Sequence, residues 1–155
     1  MSRTVSHDTF VIERTYPASP ARVFTAFADP AAKLRWFGDQ DSEMKATHDI
    51  DFRVGGRESL AGSAPGAAAF TYDALYQDIV DNERIVYSYE MTMAGRRISV
   101  SVATIEFIAD DNGTHLILTE QGAFLDGLDT NAAREHGTGE LLNALGRYLA
   151  NGDSP

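Results

Sequence analysis

The chain has 155 residues, with 13 Lys and Arg against 23 Asp and Glu, so its formal net charge is −10. A chain of this length buries roughly 70% of the surface that it exposes when unfolded, which predicts one domain with a substantial core. The negative charge argues against nucleic acids and anionic membranes as partners, because both carry negative charge themselves. Cysteine is absent, which excludes thiolate nucleophiles, cysteine-based metal centres and disulfides.

The N-terminal residues lack the apolar segment of a secretory signal, and no run approaches the roughly 18 apolar residues that cross a membrane. We therefore expect a cytoplasmic protein without membrane insertion. Residues 1–155 are expected to form a single domain, with an ordered core over about residues 8–150.

The first part of the chain predicts one strand and two helices. Segment 9–16 is rich in β-branched and aromatic residues and ends before a proline, as strands do. The Ser-Pro pair at 19–20 and the Asp-Pro pair at 29–30 each combine an N-cap residue with proline at the first helical position. We expect a helix to begin at each pair and the second one to end at Gly38.

The apolar period then changes from 3.6 to 2, which indicates strands. About six strands are expected, at approximately 43–50, 51–60, 68–80, 84–94, 96–108 and 114–123. Turn residues at 110–113 and a loop of small residues at 61–67 join neighbouring strands, so the sheet should be antiparallel. From 130 to about 150 the helical period returns and predicts one long helix.

This order, β-α-α-β(about 6)-α, predicts the α+β class, with a curved antiparallel sheet wrapped around a long C-terminal helix. One helix is about 10–12 Å across and cannot fill the concave side of so wide a sheet. We therefore expect an internal cavity between the sheet and this helix.

The element order, with PARVFTAF at 20–27 and LRWF at 34–37, resembles the START-like (SRPBCC) superfamily, whose members have the helix-grip fold. Three further segments and the leucine-rich last helix resemble its branch related to the activator of heat-shock-protein-90 ATPase, often labelled polyketide cyclase-like. These segments are YDALY at 72–76, ERIVYSY at 83–89 and GTHLILT at 113–119. The resemblance covers about residues 8–150. It implies a cavity for lipids, polyketides or other apolar molecules, but not a particular activity.

Glu120 is the candidate catalytic residue. Strand alternation places Leu116, Leu118 and Glu120 on one face, so that core-facing leucines bring Glu120 into the cavity. Burial there would raise the pKa of the carboxyl, as a general acid or base requires. The alternative is a solvated Glu120 at the end of its strand.

Helical spacing places Arg134, Thr138 and Leu142 on one face of the last helix, from which Arg134 could reach Glu120 or an anionic ligand group. The two glycines of 137–139 cost about 1 kcal/mol each relative to alanine in a helix. They indicate either room for a ligand or close packing on the sheet.

Aromatic residues on neighbouring strands, and a Trp-Phe pair after the short helices, could line the cavity or its gate, or could pack in an ordinary core. The predicted ligand-binding residues are Trp36, Phe37, Tyr72, Tyr76, Tyr89, Leu118, Glu120, Arg134, Thr138 and Leu142.

No metal and no cofactor are expected. The four histidines lack metal-ligand spacing, and His48 with Asp49 and Asp51 is interpreted as a turn at a strand end. The sequence contains neither a nucleophile elbow nor a phosphate-binding loop.

The leading functional prediction is binding of an apolar small molecule of lipid, polyketide or aromatic type. One alternative is a cyclase, dehydratase or isomerase in which Glu120 acts with tyrosine or arginine donors, so the sequence leaves enzymatic activity open. A further alternative is a chaperone-associated regulator. The sequence is compatible with a homodimer through an exposed sheet face but does not indicate one.

Overall fold

The computed structural model describes residues 3–37, 45–63 and 65–151. Within these residues the helices are α1 (Pro20–Ala28), α2 (Pro30–Lys33) and α3 (Asn131–Ala150). The strands are β1 (Val5–Tyr16), β2 (Lys45–Ile50), β3 (Arg57–Ser63), β4 (Phe70–Val80), β5 (Arg84–Met93), β6 (Arg96–Asp110) and β7 (Gly113–Leu125).

All the strands belong to one antiparallel sheet with the order β1-β7-β6-β5-β4-β3-β2. The chain crosses from one edge to the other through α1 and α2, and then returns strand by strand. β1 and β2 lie at opposite edges and are not paired with each other, so the curved sheet is not closed. This is the α+β helix-grip fold predicted from the element order.

Element boundaries differ from the prediction mainly at the strand ends. β1 begins at Val5, because its pairing with β7 continues to the pair Val5–Leu125. β3 begins only at Arg57, because Gly55 has a positive φ of 85° and the segment before it is a turn. β3 then extends through Ser63, into the predicted loop. α2 ends at Lys33 with Leu34 as its C-cap, so the predicted helix end at Gly38 was wrong. The predicted strand start at 43 lies outside the described residues.

Side-chain caps begin the helices where the sequence predicts them. Ser19 Oγ accepts a hydrogen bond from the amide of Arg22 at 3.2 Å, and Pro20 follows as the first helical residue. Asp29 has the same role for α2. Thr130 is the N-cap of α3, and its hydroxyl oxygen accepts a hydrogen bond from the amide of Ala133 at 3.1 Å. None of the helices in the described chain is long and apolar enough to cross a membrane.

Apolar packing divides α3 into two halves. Leu142, Leu145 and Leu149 in its C-terminal half are buried in one core cluster with α1 and the inner faces of β1, β6 and β7. Around β3, β4 and β5 a second, smaller cluster contains Tyr72 and Tyr89. The first half of α3 lies over this second cluster, and a space remains between them.

Tyr16 joins β1 to α3. Its buried hydroxyl donates to the carbonyl oxygen of Leu142 at 2.8 Å. Replacing Tyr16 by phenylalanine is expected to lower the free energy of unfolding by about 1 kcal/mol, the usual contribution of one such hydrogen bond. Urea denaturation measures this difference. Tyr148→Phe is the control, because no described residue accepts a hydrogen bond from the Tyr148 hydroxyl and its ring packs near Arg22. Equal losses in the two variants would contradict the prediction.

Candidate functional site

A cavity of about 360 Å³ lies between the sheet and the N-terminal half of α3. Its volume lies within the range typical of small-molecule sites, roughly 300–1,000 Å³. Its lining is mainly apolar and aromatic: Phe37, Leu60, Phe70, Tyr72, Tyr87, Tyr89, Met91, Glu120, Asp129, Ala133, Arg134, Gly137, Thr138 and Leu141. The cavity expected from the element order is therefore present.

Six of the ten predicted ligand-binding residues line this cavity, namely Phe37, Tyr72, Tyr89, Glu120, Arg134 and Thr138. The other four do not: Trp36, Tyr76, Leu118 and Leu142. Leu118 and Leu142 face the interior as predicted, but at a depth where α3 packs directly on the core. The indole N–H of Trp36 donates to the carbonyl oxygen of Ala26 at 3.0 Å, which turns its ring toward α1. Periodicity predicts the face of an element, not the position along it at which a cavity lies.

Glu120 is 2% exposed, so it is buried in the cavity wall and not solvated at a strand end. The Tyr89 hydroxyl donates to its Oε2 at 2.6 Å. Arg134 Nη1 donates to the Tyr89 hydroxyl at 2.9 Å and lies 3.7 Å from the same carboxylate oxygen. Arg134 Nη2 donates to Ser99 Oγ at 2.7 Å and to Asp129 Oδ2 at 2.8 Å. Arg134 therefore reaches Glu120 across the cavity, as its helical position suggests.

Burial changes the acid–base properties of this network. It raises the pKa of Glu120 above its ordinary value, and the contacts with Tyr89 and Arg134 offset only part of the effect. It also raises the pKa of Tyr89 well above the ordinary range, so the hydroxyl remains a hydrogen-bond donor at neutral pH. The network thus presents a carboxyl group that holds its proton more tightly than usual, beside a phenol and a guanidinium.

Because the pKa of Glu120 is raised on folding, its contribution to stability is lost as the pH rises through the folded-state pKa. Glu120→Gln keeps the size of the side chain and cannot ionise. We expect the free energy of unfolding of this variant, relative to the native sequence, to increase as the pH rises from about 4, below the ordinary pKa of a glutamate, to 8, as measured by urea denaturation. Glu140→Gln, at an exposed position of α3, is the control and should show no such trend. A difference independent of pH would refute the raised pKa.

A second buried carboxylate, Glu58 on β3, lies in a separate polar cluster. Glu58 is 1% exposed. Lys33 Nζ and the Tyr76 hydroxyl each donate to its Oε1 at 2.6 Å. His48 Nε2 lies 2.8 Å from Oε2, and the His48 side chain is 3% exposed. His48 and Asp49 are among the last residues of β2, which ends at Ile50, so the strand-end position is as predicted. His48 belongs to the strand and not to the turn, and its ring is directed at Glu58.

Sequence reasoning missed this cluster, although one signal was present. Glu58 and Leu60 share a face of β3 by strand alternation, and both are buried. A carboxylate on an inward face needs partners, but the sequence does not show which cations will surround it. Lys33 is contributed by α2 and His48 by β2, so their approach depends on tertiary structure.

The surroundings of Glu58 have the opposite electrostatic effect to those of Glu120. Burial alone would raise the pKa of Glu58, but the Lys33 ammonium, with hydrogen bonds from His48 and Tyr76, lowers it from 4.5 to about 2. A depressed carboxyl pKa contributes stability above the unfolded-state pKa, and this stability is lost as the pH falls through the folded-state pKa.

We therefore expect the native sequence to lose about 3 kcal/mol of unfolding free energy from Glu58 alone as the pH falls from about 5 to 2. Glu58→Gln removes the titrating group, so its stability should depend less on pH over this interval. Urea denaturation at several pH values measures both curves. Asp78→Asn removes one partner of an exposed ion pair with Arg84 and should leave the pH dependence almost unchanged. Parallel curves for Glu58→Gln and the native sequence would contradict the assignment.

The two glycines at the N-terminal half of α3, Gly137 and Gly139, have different surroundings. One fits the interpretation of room for a ligand, and the other fits close packing on the sheet. Gly137 lines the cavity, and a Cβ atom added there would meet nothing within 4 Å. A Cβ atom at Gly139 would lie 3.4 Å from Arg14 Nη2 on β1. Gly137 thus leaves room beside the cavity, and Gly139 lies close to the sheet. Among the described residues, no group of three or more His, Asp or Glu side chains could hold a metal ion.

The sheet, the long helix and the cavity between them define a START-like domain. The family described as Activator of Hsp90 ATPase homolog 1-like protein matches residues 17–150. The chain belongs to this family, in agreement with the resemblance seen in its sequence.

Solved structures of bacterial proteins share this fold over nearly the whole chain. An uncharacterized protein from Rhizobium leguminosarum is 41% identical with a TM-score of 0.90, covering 97% of this chain and 99% of that chain. A protein from Rhizobium loti is 48% identical with a TM-score of 0.87, covering 94% and 99%. The AHSA1-like protein from Aeromonas hydrophila, 20% identical with a TM-score of 0.69 and 94% coverage of both chains, is similar in fold. A search of curated proteins gave no match.

Proposed function

We propose that the protein binds an apolar small molecule, of lipid, polyketide or aromatic type, in the cavity beneath the N-terminal half of α3. The observation that supports this most directly is the composition of the cavity wall. Apolar and aromatic side chains surround most of the space, and a buried polar group, Glu120 with Tyr89 and Arg134, lies at one place in it. Sites of this kind bind a ligand through apolar burial and orient it through a few polar contacts.

The polar network favours an uncharged hydroxyl or carbonyl group on the ligand. The positive charge of Arg134 already faces Asp129 at 2.8 Å and Glu120 at 3.7 Å, so little of it is free to attract an anion. The single hydroxyl proton of Tyr89 is donated to Glu120. Arg134 has five N–H donors and uses three of them for Tyr89, Ser99 and Asp129, so it can donate a hydrogen bond to a ligand oxygen. Glu120 can accept a hydrogen bond from a ligand hydroxyl. The proposed ligand is thus mostly apolar with one neutral polar group.

Three tyrosine rings favour a ligand with a flat apolar surface. The centroids of Tyr72 and Tyr89 are 4.9 Å apart, and those of Tyr87 and Tyr89 are 5.8 Å apart. Burial raises the pKa values of Tyr72 and Tyr87 well above their ordinary value, so these rings remain neutral. Neutral aromatic surfaces bind flat hydrocarbon groups through contact area and through edge-to-face geometry.

Gly137 offers a direct test of the cavity. Gly137→Leu should fill the space beside α3 and reduce the affinity for N-phenylnaphthylamine, an uncharged fluorescent probe, by tenfold or more. Gly137→Ala is the matched control, because it brings the same gain in helix propensity, of about 1 kcal/mol, without filling the cavity. Fluorescence titration gives both affinities. Equal affinities in the two variants, or no binding to the native sequence, would count against the proposal.

The natural ligand can be sought without assuming its identity. Native mass spectrometry of the protein purified from its own host should detect a bound small molecule, which is absent from Gly137→Leu prepared in the same way. Detection of the same mass in both proteins would place the molecule outside this cavity.

Acid–base catalysis on the bound molecule is a second candidate function, as in a cyclase, dehydratase or isomerase. It is supported by the burial of Glu120 within hydrogen-bond distance of Tyr89, since a raised carboxyl pKa suits a general acid near neutral pH. A ligand identified by native mass spectrometry would separate the two candidates. A catalyst converts it over time in a Glu120-dependent manner, whereas a binding protein returns it unchanged.

A further inference from the structure

We propose that Glu58 is a positioning residue of the cavity, which holds the Phe37 wall in place through Lys33 and His48 without contacting the bound molecule. This inference rests on the proposed function, because Phe37 lines the same cavity. Glu58 itself does not line it.

The Phe37 ring lies between the cavity and the Glu58 cluster. Lys33 Nζ is 4.5 Å from its centroid, in cation–π geometry. The His48 ring is stacked on it at 5.6 Å with an interplanar angle of 28°. Tyr72, another residue that lines the cavity, has its ring centroid 5.4 Å from that of Phe37. Two of the groups that contact Phe37 therefore belong to the Glu58 cluster.

Glu58 holds these two groups at fixed positions, because each carboxylate oxygen binds one of them. Oε1 accepts from Lys33 and Oε2 contacts His48. His48 Nδ1 is buried and has no hydrogen-bond partner, so the contact of Nε2 with Glu58 is the hydrogen bond that fixes this ring in the described structure. Lys33 is 4% exposed, and a buried ammonium without a carboxylate is strongly unfavourable.

Loss of the Glu58 charge should therefore release Lys33 toward water. The cation then leaves the Phe37 ring. In Glu58→Gln the amide has one acceptor oxygen where the carboxylate has two, so Lys33 and His48 no longer each have a carboxylate oxygen that fixes their position. Phe37 would sample more than one position in the cavity wall. Ligand affinity then falls, because binding must order the Phe37 side chain, and this loss of conformational entropy reduces the free energy of binding.

A double-mutant cycle between Glu58 and Phe37 tests this inference. In the otherwise native sequence, Glu58→Gln should weaken N-phenylnaphthylamine binding about tenfold. In a Phe37→Leu background, the same change should alter affinity less than twofold, because its effect is transmitted through the Phe37 ring. A general loosening of the fold would give similar losses in both backgrounds, and that result would overturn the proposal.

A second measurement does not depend on any ligand. Trp36 is the only tryptophan of the chain, is 3% exposed, and its ring centroid lies 5.8 Å from that of Phe37. Folded Glu58→Gln should shift the Trp36 emission to longer wavelength and increase its quenching by acrylamide. Lys33→Gln, which removes the cation of the same cluster, should give both changes and serves as the test if Glu58→Gln does not fold. Asp78→Asn, at an exposed ion pair, is the control and should give neither change.

The two proposals can fail separately. Absence of probe binding to the native sequence counts against the proposed function, and the Trp36 measurement still decides whether Glu58 orders the Phe37 wall. Native probe binding that is unaffected in Glu58→Gln, or unchanged Trp36 emission and quenching in folded Glu58→Gln and Lys33→Gln, overturns the positioning role while leaving the proposed function standing.

Discussion

The arrangement of this molecule depends on how α3 covers the concave face of the sheet. A helix is much narrower than the sheet that it covers, so it cannot fill the concave face by itself. Other elements must fill the rest of this face if no cavity is to remain. α1 and α2 do this at the C-terminal half of α3, where aromatic side chains such as Phe24, Phe27 and Phe107 pack edge to face. They do not cover the part of β3, β4 and β5 that carries Leu60, Tyr72 and Tyr89, and the cavity lies there.

The two buried carboxylates show how strongly neighbouring groups control ionisation at similar burial. The Lys33 ammonium lies 2.6 Å from Glu58 and has a direct ion pair with it. The Arg134 guanidinium lies 3.7 Å from Glu120 and is shared with Asp129 at 2.8 Å. The pKa of Glu58 is consequently lowered, while the pKa of Glu120 is raised. One carboxylate is therefore suited to holding structure together, and the other to exchanging a proton or binding a neutral ligand group.

Local patterns in the sequence predicted most of the fold, because alternation and helix caps are local properties. Leu116, Leu118 and Glu120 alternate inward on β7 without interruption, so the burial of Glu120 follows from its position in the strand. The pairing of Glu58 with Lys33 could not be predicted in this way, since 25 residues separate them and no short-range pattern connects α2 with β3. The position of the cavity along α3 could not be predicted from the sequence either. Thr138 and Leu142 lie on the same face of the helix, but Thr138 lines the cavity and Leu142 packs in the core.

The division of α3 into two halves has a consequence for sequence divergence. Substitutions at Ala133 or Gly137, which line the cavity at exposed positions, change the volume of the cavity, whereas Leu145 and Leu149 pack in the main core. Mutations in the first group can therefore accumulate at little cost to folding. A single helix thus permits binding preference to evolve separately from stability, which fits a fold that persists among bacterial proteins of 20% identity.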